Sequence, residues 1–280
     1  MKAFDRERLE RLAFDIRRDV VSTIATNGEG HVGGALSAAD AIAVLYGVIM
    51  NYDPQDPLRR DKFILSAGHK CLALYGAMAE LGVIDKAELK TYNKLGTRFP
   101  GHPDATKLPC LDFSTGSLGH GLSLGCGYAM AAKLQGESYR TYVLMGDGEQ
   151  GEGSLWEAAA FAAHKKLDNL VAILDENTLQ INGRTSEVCK PTDFEGRYAS
   201  FGWAVRSVDG NNVGALYDAL AAAPFEKDRP SLIVAKTTKS KGISFLEDQA
   251  KYHHWNPSKE ESVRALAELD AVAAKRGWRE

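Results

Sequence analysis

The chain has 280 residues, enough for one large α/β domain or two small ones, and its 44% hydrophobic and 25% charged residues are the balance of a soluble globular protein. A formal net charge of −3 supplies no basic face for nucleic-acid phosphates, no run of about 18 apolar residues is expected, and the doubly charged stretch Met1 to Glu10 is not a signal peptide, so a cytoplasmic protein that binds neither nucleic acid nor membrane is expected. Cys71, Cys110, Cys126 and Cys189 are scattered without Cys-x-x-Cys spacing, which speaks against a zinc site or a disulfide framework.

Leu9, Leu12, Ala13, Ile16, Val20 and Ile24 recur at helical spacing, predicting an amphipathic helix over 5–26 that ends at Asn27-Gly28. The glycine-rich stretch 29–37 follows and carries His31; Ser37 is a good N-cap for a second helix to Met50. After a surface turn over 51–60, Phe63 to Ser66 reads as a short buried strand, with His69 at its end and a helix over 67–81. A helix near 87–94 precedes a third loop histidine, His102, flanked by Gly101. The loop 114–123 opens a helix rich in small residues through Ala132, a composition that a tight packing seam would also explain.

Tyr142 to Met145 is an apolar, β-prone run that delivers Asp147 to the carboxyl end of a buried parallel strand, where doubly wound sheets bind ligands. Gly146, Gly148, Gly151 and Gly153 let the backbone turn and approach a ligand, and the helix expected over 154–166 offers its positive N-terminus to an anion. A second such run, Leu170 to Leu174, delivers Asn177, thirty residues after Asp147. A carboxylate and an amide oxygen from neighbouring strand ends suit one hard cation that also holds phosphate oxygens, and magnesium fits that set best. Alone, Gly-Asp-Gly is more often a turn.

Beyond Gly183 to Asp193, a surface excursion, a helix is expected near 193–200, then strands over 203–208 and 231–236 joined by a helix over 213–222. This βαβ unit continues the sheet in parallel fashion. Lys236, Lys239 and Lys241 surround the last strand end and read as a solvated turn, and a terminal helix spans 259–275. The fold class expected is therefore α/β, a doubly wound, mostly parallel sheet with helices on both faces, as a single domain over residues 1–280.

Gly-Asp-Gly after one strand and Asn after the next resembles the signature of thiamine diphosphate enzymes, and Gly151-Glu152-Gly153-Ser154-Leu155-Trp156-Glu157-Ala158 narrows the resemblance to transketolases. Gly-His-x-Gly-Gly-x-Leu-Ser at 30–37, Ser-x-Gly-His at 66–69 and Lys-x-Lys-Gly-x-x-Phe at 239–245 are similar to further segments of that family, with Val32 in place of a common proline and Ser240 and His254 in place of glycines. The resemblance runs from about residue 9 to 257 and is closest to the N-terminal subunit of split transketolases.

The resemblance implies that Asp147, Asn177 and the Leu179 carbonyl bind magnesium, or calcium or manganese in its place, which clamps the diphosphate of thiamine diphosphate. Gly116 and Leu118 would touch the thiamine ring system, and Glu152 resembles a carboxylate at the interface between two active sites. His31, His69, His102 and His253 would face cofactor or substrate; with ordinary pKa values of about 6.5 they could exchange protons with a sugar at working pH. Whether His253 or His254 faces the site is open, and His120 is assigned no role. The reaction implied moves a two-carbon ketol unit from a ketose phosphate to an aldose through a carbanion stabilised by the thiazolium. The family's pyrimidine-binding and C-terminal domains, which supply the glutamate for the aminopyrimidine and most phosphate-clamping arginines, are not expected within 1–280. The partner expected is therefore a C-terminal transketolase subunit, in an assembly of two chains of each kind. A deoxyxylulose-phosphate synthase, a transketolase for unusual sugars and a non-catalytic regulatory subunit of the same fold are the alternatives. A nicotinamide-binding Rossmann domain lacks its Gly-x-Gly-x-x-Gly after the first strand.

Overall fold

The computed structural model describes residues 3–190 and 192–278. Pro191, part of the expected surface excursion, and both chain termini lie outside the described residues.

The elements follow in chain order. Helices α1 (Arg6–Asn27) and α2 (Val32–Val44) precede β1 (Lys62–Leu65), α3 (Cys71–Glu80) and α4 (His120–Gln135). Next come β2 (Thr141–Gly146), α5 (Gly153–His164), β3 (Leu170–Glu176), a two-residue hairpin of β4 (Leu179–Gln180) and β5 (Gly183–Arg184), and the short helices α6 (Thr185–Val188) and α7 (Phe194–Ser200). Then β6 (Ala204–Asp209), α8 (Val213–Ala221), β7 (Ser231–Lys236) and α9 (Lys259–Arg276) complete the chain.

Five strands form one parallel sheet in the order β1-β2-β3-β7-β6. The chain steps from β1 through β3, crosses to the far edge at β6, and returns to place β7 between them, so the strand order reverses beside β3. That reversal is where an open α/β sheet presents a crevice beyond its carboxyl ends. Alternate side chains enter separate cores: Tyr142, Leu144, Val171 and Ile173 pack with α1, α2, α3, α8 and α9, whereas Val143, Met145, Ala172 and Leu174 pack with α4, α5 and α7. Burial on both faces explains why these strands read as unbroken apolar runs.

Several boundaries differ from the sequence expectation, each for a physical reason. Helix α2 begins at Val32 rather than after Ser37, and Ser37 lies buried inside it, where its hydroxyl donates to Asp175 at 2.6 Å and lies 3.1 Å from the Gly34 carbonyl. Close approach favours glycine in this first turn: a Cβ on Gly33 would lie 2.7 Å from Lys239 Cε, and one on Gly34 2.9 Å from Lys70 Cγ. Residues 32–49 also form an 18-residue apolar run with mean hydropathy 1.7, against the expectation of none. The run is wholly buried and holds Asp40, which pairs with Arg17 at 2.5 Å, so it is a core helix of this fold. A π-helical turn, Leu45–Ile49, ends it. The helix expected near 87–94 is a 3-10 segment, Lys86–Thr91, started by the Asp85 carboxylate on the Ala87 amide.

Candidate active site at the carboxyl ends of the strands

The ends of β1, β2, β3 and β7 deliver polar side chains into a single neighbourhood. Asp147 follows β2 and is 3% exposed. Its carboxylate accepts from the Gly148 amide at 2.8 Å, the Thr178 amide at 2.6 Å and the Thr185 hydroxyl at 3.2 Å. Burial, followed by the charge of Asp175, raises its pKa to about 6. Asn177 follows β3, and its side-chain oxygen accepts from the Leu179 amide at 3.2 Å. The Leu179 carbonyl accepts from Lys239 Nζ at 2.8 Å.

Two buried carboxylates brace this cluster. Asp175, on β3, accepts from Lys70 Nζ at 2.5 Å, Ser37 Oγ at 2.6 Å, Asn177 Nδ2 at 3.3 Å and the Thr237 hydroxyl. These donors hold its pKa below the usual carboxylate range despite full burial. Glu149 accepts from the Ser66 hydroxyl, the Gly119 amide at 2.9 Å and the Gly146 amide at 3.0 Å, which ties the end of β1 and the start of α4 to the loop after β2.

A cavity of about 350 Å³ opens over these strand ends. His31, His69, His102, His253, Gly116, Leu118, Gly146, Asp147, Gly148, Asn177 and Leu179, all expected at the site, line it. Glu152 is exposed and does not line the cavity of this chain, because a 3-10 turn, Gly148–Gly151, intervenes and α5 starts only at Gly153. For the same reason the cavity wall is made by residues 146–149 and not by the N-terminus of α5.

His253, not His254, lines the cavity, with Nδ1 3.0 Å from Lys239 Nζ. His254 is exposed beside His31, ring centroids 4.8 Å apart. His31 also lies 5.4 Å from His69, 6.1 Å from His102 and 5.6 Å from His253 by ring centroid. Two backbone bonds between Gly30 and Trp255, 3.1 and 2.8 Å, bind the loops that carry His31 and His253 together. His120, at the start of α4, is exposed and outside the cavity.

Sequence reasoning missed the lysines. Lys239, which the sequence pattern puts in a solvated turn, is 1% exposed, and Lys70 is 2% exposed; both line the cavity. The signal available was the pairing of each lysine with a glycine of α2, and that pairing exists only after folding. Glu149, Gln180, Ile181 and Asn182 complete the wall, and Ile181 stays 67% exposed as an apolar side chain on the cavity.

Among the described residues no group of three or more His, Cys, Asp or Glu side chains converges to hold a metal ion. The oxygens present are one carboxylate, one amide and one carbonyl, and the carbonyl keeps a second lone pair beside its bond to Lys239. Such a set fits a cation that keeps water and phosphate oxygens among its ligands, as magnesium does. The residues present therefore fit a metal-bound diphosphate.

The structure revises the proton chemistry expected of the histidines. Burial, with the neighbouring positive groups, lowers the pKa of His31 to about 4 and of His253 to about 3, and holds His69 well below its ordinary value; burial also lowers that of His102. These rings are neutral at working pH, so each offers one N–H donor and one lone pair rather than an imidazolium. In a histidine NMR titration of the folded chain, His31 and His253 should titrate near pH 4 and pH 3. Because these folded values lie below the unfolded value of about 6.5, the unfolded chain binds more protons in between, and stability should fall as pH drops from about 6.5 to 4. A midpoint at or above 6.5 for either ring would contradict the burial seen here.

Residues 9–275 match the family model described as transketolase, thiamine diphosphate binding domain. An apulose-4-phosphate transketolase subunit of Phocaeicola vulgatus is 40% identical over 265 residues, covering 94% of this chain and 94% of its own length. A 6-deoxy-6-sulfo-D-fructose transketolase subunit of Clostridium sp. is 38% identical over 95% of this chain and 98% of its own length. Among solved structures, the transketolase of Leishmania mexicana superposes with a TM-score of 0.84 at 30% identity, and that of Campylobacter jejuni with 0.84 at 28%. They match 96% and 98% of this chain, which spans 46% and 48% of their lengths. The chain belongs to the transketolase family, as a thiamine diphosphate-binding domain of that family.

Proposed function

We propose that this chain is the cofactor-binding subunit of a two-subunit transketolase that moves a two-carbon ketol unit from a ketose phosphate to an aldose acceptor. The observation that carries the reading is the convergence, on one cavity at the strand ends, of Asp147, Asn177 and the Leu179 carbonyl with four histidines from four separate loops. Bound thiamine diphosphate supplies the electron sink for making and breaking a carbon–carbon bond beside a carbonyl.

The chain's own residues bind and orient. Asp147, Asn177 Oδ1 and the Leu179 carbonyl would hold magnesium and, through it, the diphosphate, while Leu118 and the exposed Ile181 offer an apolar seat to the rings. Gly116 and Gly148 let the backbone come close to the cofactor. The neutral rings of His31, His69, His102 and His253 would donate or accept single hydrogen bonds at the sugar's carbonyl and hydroxyl oxygens; that arrangement stabilises developing alkoxide charge without an imidazolium. His253 gains orientation from its contact with Lys239, 3.0 Å from Nδ1.

A partner subunit is part of the reading. Three relatives that match nearly the whole chain are named as subunits, whereas human transketolase, 41% identical over 255 residues, is matched over 40% of its length. The subunit names support a partner chain, and the assembly in this reading is two such chains with two partner chains, each active site at an interface.

Two outcomes are expected. Asp147→Ala removes the only side-chain anion among the proposed metal ligands, so magnesium-dependent thiamine diphosphate binding to the reconstituted enzyme should be lost while circular dichroism stays that of the parent. Unchanged affinity and magnesium dependence by calorimetry would show the metal site to be elsewhere. The purified chain alone, assayed with thiamine diphosphate, magnesium and a ketose and aldose phosphate pair, should show negligible transfer that appears when the partner subunit is added; full turnover by the chain alone would refute the two-subunit reading.

A further inference from the structure

We propose that Lys70 is a diphosphate-binding residue, a cation built into the cavity wall that acts beside the metal. This deepens the thiamine diphosphate reading and rests on it. Lys70 follows His69 at the end of β1 and is 2% exposed, yet it lines the cavity. Its aliphatic stem crosses the first turn of α2 where Gly34 leaves room, and its Nζ lies 3.5 Å from where a Cβ on Gly146 would stand. Gly34, Lys70 and Gly146 all face the cavity, whereas Ser37, Asp175 and Thr237 do not line it. The ammonium therefore stands between a carboxylate behind it and the cavity in front.

The donor count supports a ligand on the cavity side. An ammonium has three N–H donors, and Asp175 is the acceptor that Lys70 meets among the described residues. Asp175 has three other donors in Ser37, Asn177 and Thr237, so its burial does not depend on the lysine alone. The second lysine of the wall is committed differently: Lys239 Nζ contacts the Leu179 carbonyl and His253 Nδ1. Glu149, the other acidic wall residue, is satisfied by three donors of its own. A buried ammonium with unused donors beside a glycine-lined strand end is matched by an anion with several oxygens, and a diphosphate is the class that also needs the neighbouring metal ligands.

The test uses inorganic pyrophosphate with magnesium, titrated calorimetrically into the full chain and into Lys70→Met and the double variant Lys70→Met/Asp175→Asn. The parent should bind, and both variants should bind about 10- to 100-fold more weakly, the loss expected for a charge-assisted hydrogen bond. Asp175→Asn alone, which keeps Lys70, is titrated beside them to read the loss due to the Asp175 brace; if Lys70 only neutralised Asp175, the double variant would bind like Asp175→Asn, and that result overturns the proposal. So does a folded Lys70→Met that binds as the parent does, or a parent that does not bind pyrophosphate. Should Lys70→Met fail to fold, the double variant, which leaves no unpaired charge, decides. Ketol transfer by the parent with its partner is read separately: its absence alongside the expected binding pattern would defeat the transketolase reading and leave the diphosphate assignment standing.

Discussion

The arrangement of the site depends on one buried carboxylate. Asp175 lies on the central strand, β3, and collects donors from α2, from the segment after β1, from the segment after β7 and from Asn177 on its own strand's exit. Desolvating a carboxylate is costly unless its oxygens are filled, so these four segments are drawn to a common point at the carboxyl edge of the sheet. Glu149 repeats the device one strand over, joining β1, β2 and the start of α4. Between the two braces, Asp147 and Asn177 are presented at a fixed separation, and the cavity forms above them.

Because both faces of the sheet are covered by helices, the strands carry little polar chemistry in their interiors, and the reactive side chains are confined to the exits. The four cavity histidines come from loops after α1, β1, β7 and the 3-10 segment that follows α3, and the Gly30–Trp255 bridge fixes two of those loops against each other. Burial lowers the pKa of all four rings, and neighbouring groups add to it at His31, His69 and His253. In the proposed reading this cavity separates two tasks: charge would hold the cofactor at the Asp147 and Asn177 end, and hydrogen bonds from the histidines would hold the sugar.

Much of this was legible in the sequence because it is local. Asp147 and Asn177 follow apolar runs whose length and β-branched content identify buried strands, and His31, His69 and His102 stand beside glycines in loops, so their places at the strand ends or loop tips follow from short-range pattern alone. The parallel order of β6, α8 and β7 was readable for the same reason. What was not legible depends on contacts between distant residues. Lys239 reads as part of a solvated turn and Lys70 carries no sequence signal, because a lysine is almost never buried unless paired and their partners lie at the Leu179 carbonyl and at Asp175. Ser37 looks like a helix cap because caps are a local rule, whereas its hydroxyl is used by an acceptor 138 residues away. Resemblance gives Glu152 a place at an interface between two active sites, and the 3-10 turn before α5 leaves it exposed and outside this chain's own cavity. The Lys239 contact, which no spacing encodes, decides between His253 and His254.

The central claim is that one hard cation sits between the exits of β2 and β3. Crystals of the chain with its partner, grown with thiamine diphosphate and manganese, would show this in an anomalous difference map. The account predicts a single manganese peak within coordinating distance of the Asp147 carboxylate, Asn177 Oδ1 and the Leu179 carbonyl, with diphosphate oxygens completing its shell. A manganese peak among the histidines instead, or cofactor bound with no metal at these three oxygens, would contradict it.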